Sequence, residues 1–117
     1  MAARATQRWV RQSARKMRLV MDEVRGLDVN GAYALLRHSK KRAAKQIEKV
    51  LRSAVSNAEQ DALRANRAFD VDKLVVAYAV VNEGPTLKRW HAAAHGRATP
   101  IHKRMSTVEI RVAEKEE

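Results

Sequence analysis

The stretch that most constrains this chain is GPTLKRWHAAAHGRATPIHKR, residues 84–104, which carries Lys88, Arg89, Arg97, Lys103 and Arg104 and no Asp or Glu. Both of its flanks read as strands. KLVVAYAVVNE, residues 73–83, is apolar and rich in β-branched side chains, and it reads as a central strand. In MSTVEIRVA, residues 105–113, Ser106, Val108, Ile110 and Val112 alternate with Thr107, Glu109 and Arg111 at the period of two of a half-buried strand. Two strands joined by a basic connection predict one long antiparallel hairpin whose far end leaves the core. An isolated two-stranded ribbon is marginal in water, and cations along it repel one another. The sequence therefore implies a polyanion that completes the structure.

The overall charge points the same way. A formal net charge of +11 implies an anionic partner, nucleic acid first and an acidic membrane surface second. Aromatic residues make up only 4%, which argues against wide platforms for stacking single-stranded bases. Cysteine is absent, so disulfides, thiolate chemistry and sulfur-ligated zinc are all excluded. At 117 residues the chain fits a single domain with one modest core. The expected division is a globular part of about residues 1–84 plus 105–113 and an arm of about 85–104. No apolar run approaches the roughly 18 residues of a membrane span, and the N-terminus lacks the apolar segment of a secretion signal. The expected location is the cytoplasm, with no membrane partner.

From the N-terminus, Arg4, Arg8, Arg11, Arg15, Lys16 and Arg18 all precede the first acid, Asp22. Thr6, Arg8 and Val10 would share one side of a strand, with Gln7, Trp9 and Arg11 on the other, a mixed alternation. The run is either a solvated basic tail or a segment contacting phosphates, and its direct passage into a helix favours the second. That helix is expected from Ser13, a good N-cap, to about Arg25, with Met17, Val20, Met21 and Val24 on its apolar face and Gly26 ending it. Cations in its first turns oppose the helix dipole by ~0.3 to 1 kcal/mol each, which suggests a compensating ligand charge.

A short second helix is expected after Asn30, burying Ala32, Leu35 and Leu36. Ser39 is placed to cap a third and longest helix, from about Lys40 to residues 57–62. Ala43, Ala44, Ile47, Val50, Leu51, Ala54, Val55 and Ala58 keep a helical rhythm there. Its cations Lys41, Arg42, Lys45, Lys49 and Arg52 are open to two readings, a solvated surface or RNA contact. Residues 60–72 read as a polar connection anchored by Phe69, and the acidic tail 113–117 as frayed. The fold class that results is α+β: three helices on a small antiparallel three-stranded sheet, with a long protruding β-hairpin.

Catalytic patterns are missing. The four glycines form no phosphate loop. His91 and His95 have a helical metal-ligand spacing but lie in an extended or turning segment without acids or cysteines nearby, so no metal and no cofactor is expected. Asp22 and Glu23 are adjacent and diverge on a helix. A free-standing basic regulator of RNA or DNA would share the charge, but it should offer a base-reading recognition helix.

Three blocks in order, SARKMRLVMDEVRG at 13–26, IEKVLRSAVSNAE at 47–59, and NEGPTLKR followed by GRA and KR within 82–104, resemble the large-subunit ribosomal protein family numbered twenty-two, in its bacterial type. The resemblance covers nearly the whole chain, and the lack of long extensions fits it. It implies a non-enzymatic constituent of the large ribosomal subunit that binds ribosomal RNA, bridges RNA segments during assembly and lines the peptide exit tunnel with its hairpin tip. Its implied partners are large-subunit ribosomal RNA, neighbouring large-subunit proteins and, transiently, the nascent peptide. Arg15, Lys16 and Arg18 correspond to the family's N-terminal RNA-binding block, which Arg8 and Arg11 extend. Lys88, Arg89, Arg97, Lys103 and Arg104 correspond to cations along the hairpin. The implied tunnel tip is Trp90, His91, Ala92, Ala93, Ala94, His95 and Gly96. The family usually has Pro-Arg near Ala92 and Ala93, an aliphatic residue or Phe at Trp90, and Thr-Ser-His where Met105, Ser106 and Thr107 stand. The alanines remove one cation and some stiffness from the tip.

Overall fold

A computed structural model describes residues 2–114 as three helices on one face of a three-stranded antiparallel sheet. The order of elements is β1 (Ala2–Val10), α1 (Ala14–Val24), α2 (Val29–His38), α3 (Arg42–Arg64), β2 (Leu74–Ala92) and β3 (Ala98–Glu114). Short 3-10 turns at Val71–Lys73 and Ala94–Gly96 precede β2 and form the arm tip. The α+β class expected from the sequence is the class observed.

The strand order is β1-β3-β2, so β3 is central and β2, expected in the middle, is an edge. The cause lies at the outer side of β2, where no fourth strand is needed. Val76 exchanges backbone hydrogen bonds with Gly26 and Leu27 (3.1 and 2.8 Å). Arg25 donates to the Ala79 carbonyl through Nε and Nη2, and Arg18 Nε donates to the Val81 carbonyl at 3.0 Å. Helix α1 and its exit loop thus cover an edge that would otherwise invite strand pairing.

The core follows the period of each element. Met17, Val20, Met21 and Val24 of α1, Ile47 and Leu51 of α3, and Val108, Ile110 and Val112 of β3 are all at most 1% exposed. Helix α3 lies mainly on β1 and β3, and α1 on β2. The alanine-rich stripe of α3 allows that approach: Ala43, Ala44 and Ala54 are buried, and Asn57 Nδ2 donates to the Arg4 carbonyl. Ser106 is fully buried, and its hydroxyl donates to the Gln12 carbonyl at 2.9 Å.

Several boundaries differ from expectation for local reasons. The mixed alternation of β1 reflects a bulge between Gln7 and Val10, with Trp9 at φ 59. Ala3 and Ala5 face the core before the bulge and Val10 after it, so Arg8 and Val10 do not share a face. Helix α2 starts at Val29 because Asp28 caps it, accepting from the Gly31 amide. Ser39 closes α2, and α3 begins without a side-chain cap after Lys41. Helix α3 runs on to Arg64, taking in the start of the expected connection, and Phe69 packs partly against the core. Ala113 and Glu114, expected to fray, pair with Val75 and Leu74; the rest of that tail, residues 115–117, lies outside the described residues.

Pairing between β2 and β3 is interrupted between Glu83 and Thr86, then resumes as an unbroken ladder from Thr86↔Arg104 to Ala92↔Ala98. Beyond that interruption the two strands pair only with each other. Gly84 sits at the break with little room, since a Cβ there would lie 3.2 Å from the Met105 carbonyl oxygen. The ladder projects from the helices: the molecule measures 67 × 27 × 18 Å with a radius of gyration of 17.7 Å, against about 13 Å for a compact chain of this length.

Candidate nucleic-acid interface

The cations predicted from sequence divide into a root cluster, an arm series and a remainder. At the root, where β3 leaves the globular part, Arg11, Gln12, Ser13, Lys16, Arg42, His102 and Arg104 line a hollow of about 560 Å³. Lys103 joins Arg11, Arg42 and Arg104 around an adjoining hollow of about 520 Å³. On the other side of Ser13 a third hollow, about 420 Å³, is lined by Arg15 and again by Arg104, together with Glu83, Gly84 and Thr86. Arg104 is common to all three.

Local structure explains why these residues meet. The Gln12 amide bonds the Val10 carbonyl just beyond the β1 bulge, and Ser106 holds the Gln12 carbonyl, so the β1–α1 connection is fastened to β3 beside the arm root. Ser13 then caps α1, its hydroxyl accepting from the Lys16 amide. The first turns of α1 and α3 contain no acid, and both contribute cations to the root. Positive helix ends and positive side chains therefore coincide, an arrangement that disfavours the free protein slightly and favours a bound phosphate.

Along the arm the register alternates the side chains between two faces. Lys88, Trp90 and Ala92 lie on one face with their partners His102, Pro100 and Ala98; Leu87, Arg89 and His91 lie on the other with Lys103, Ile101 and Thr99. All of these except Leu87, which is half-buried, are exposed. Arg97 closes the tip, its carbonyl accepting from the Ala93 amide at 2.7 Å. His95 adopts φ 62 and Gly96 φ 70, so the segment Ala93, Ala94, His95 and Gly96 turns tightly without the expected proline. His91 is in the ladder and His95 in the turn, so their spacing is not a helical one. The described residues hold no group of three His, Cys, Asp or Glu side chains that could bind a metal.

Arg8 is exposed on β1 and lines none of the root hollows. Arg18 is turned to the sheet edge through its bond to Val81. Two basic side chains at the root, Arg42 and His102, were not singled out from sequence. Arg42 was legible only as one of several cations on α3, and His102 carried no separate signal; it is the fold that sets both beside Arg11 and Arg104.

The family model described as ribosomal protein L22p/L17e matches residues 5–113. The chain is also similar to the large ribosomal subunit protein uL22 of Pediococcus pentosaceus, 47% identical over 118 residues that take in 99% of this chain and 94% of that relative.

Proposed function

Because the chain belongs to the ribosomal protein L22p/L17e family, and is thus a structural constituent of the large ribosomal subunit and not an enzyme, we propose that it works there by binding ribosomal RNA at the arm root and along the arm. In this mechanism the globular part and the arm engage RNA elements distant in the RNA sequence and hold them together during assembly, and the arm tip lines the peptide exit tunnel, where it meets the nascent peptide transiently. Neighbouring large-subunit proteins are its further partners.

The observation that carries this proposal is the convergence of Arg11, Lys16, Arg42 and Arg104, from a loop, two helix starts and a strand, on one hollow. Cations gathered from four segments repel one another unless phosphate lies among them. Arginine suits the task because its planar guanidinium bonds a phosphate through two donors and stacks on bases. Beyond the root, an arm with cations on both faces and no acid between Glu83 and Glu109 is matched to crowded RNA, recognised by shape and phosphate position.

Salt titration against large-subunit ribosomal RNA tests it. With about six phosphates neutralised, log affinity against log salt has a slope of about −4 to −5. A slope near zero rejects phosphate contact as the main term. In sucrose gradients after moderate salt washing the protein stays with the large subunit, whereas a free-standing regulator would appear in the unbound pool.

A further inference from the structure

The arm's register gives one of its faces a feature that phosphate contact does not use, and we propose that Trp90, backed by Pro100, is a stacking site for an unpaired nucleobase of RNA. This rests on the RNA-binding reading above and adds a base contact to it. The Ala93 amide donates to the Arg97 carbonyl across the tip, which makes those two a hydrogen-bonded pair. Pairs alternate along an antiparallel ladder, so Trp90 and Pro100, three positions further from the turn, form a non-hydrogen-bonded pair. Opposed side chains approach each other most closely in such a pair, and Pro100 gives up no ladder bond there for want of an N–H.

Trp90 is nevertheless 67% exposed. On the tip side its neighbours on the same face are Ala92 and Ala98, which leave the indole open to a flat ring. On the root side they are Lys88 and His102, followed by Thr86 and Arg104. An apolar partner such as a protein surface would gain from a wider apolar face than one indole set among a cation, a histidine and two methyl groups. A nucleotide matches both parts, its base to the indole and its phosphate to Lys88. The low aromatic content excludes an extended platform but not a single stack, and Trp90 is the one Phe, Tyr or Trp residue between Gly84 and Arg104.

The full-length variant Trp9→Phe keeps Trp90 as its sole tryptophan and allows the test by fluorescence. Large-subunit ribosomal RNA should quench Trp90 by about half or more, while inorganic polyphosphate, which offers charge without bases, should bind with little quenching. In the wild-type background Trp90→Ala and Trp90→Leu should each weaken RNA binding by about 5- to 100-fold, Trp90→Phe should retain most of the affinity, and the salt slope should not change. Equal quenching by both polymers overturns the proposal. So does full affinity in Trp90→Leu, which would mark an apolar contact with peptide or protein. A normal salt slope with Trp90 unquenched overturns stacking alone, whereas a missing slope overturns the RNA-binding reading with it.

Discussion

Arg18 on α1 donates through Nε to the carbonyl oxygen of Val81 on β2, 3.0 Å away. A residue that sequence resemblance groups with Arg15 and Lys16 as RNA-binding is thus held by the protein's own sheet, two residues from Lys16 at the arm root. Neighbouring cations in one short block therefore part company: Arg18 is bonded to the sheet, while Arg15 and Lys16 line the hollows at the arm root.

Substitution separates the two roles. Arg18→Ala leaves the Val81 carbonyl to water and should cost about 1–2 kcal/mol of stability. Arg15→Ala, on an exposed side chain, should change stability by less than about 0.5 kcal/mol while weakening RNA binding. Urea denaturation midpoints of the two variants read the difference directly.

Arg42 should count as one phosphate contact although it is 62 residues from Arg104 in sequence. Arg42→Ala is expected to lower the magnitude of the salt slope by about 0.7–0.9 and leave unfolding unchanged. Arg64→Ala, at the opposite end of α3, should not alter the slope. Filter binding across a salt series measures both.

The arm tip contributes nothing to the core, as residues 92–98 are exposed apart from a half-buried Ala93. Replacing them with Asn-Gly closes the ladder on the His91–Thr99 pair through a two-residue turn. Thermal unfolding followed by circular dichroism should remain cooperative with its midpoint little changed.

Gly84 differs from the tip glycine in what surrounds it. A Cβ at Gly84 would lie 3.2 and 3.3 Å from the backbone oxygen and carbon of Met105, which cannot move aside as a side chain could. Gly84→Ala should therefore destabilise the protein by about 1–3 kcal/mol. At Gly96 there is open space and only the positive φ to satisfy, so Gly96→Ala should disturb the turn and spare the global unfolding midpoint.

The elements that bury a stripe were legible because burial imposes a period. Met17, Val20, Met21 and Val24 marked α1, and Ser106 to Val112 marked β3, with the face assigned correctly in each. What escaped were features decided by contacts remote in sequence. The β1 bulge hid a strand whose inward residues change phase between Ala5 and Val10. The edge position of β2 depends on Arg18, Arg25 and Leu27, none of which signals it in one dimension. At the root, Arg11, Lys16 and Arg104 were legible as basic, but nothing in their spacing says that Arg42 joins them.

The break in pairing between Glu83 and Thr86 gives the arm the mechanics of a lever. Seven ladder positions and a turn extend about 25 Å past it, so a deflection of about 10° at this fulcrum displaces the far end by about 4 Å, more than a water diameter. Tolerances at the distal end are consequently set by the packing of Gly84 on Met105 and by whatever grips Arg104. A sequence change near the pivot should therefore mimic one at the extremity without touching it.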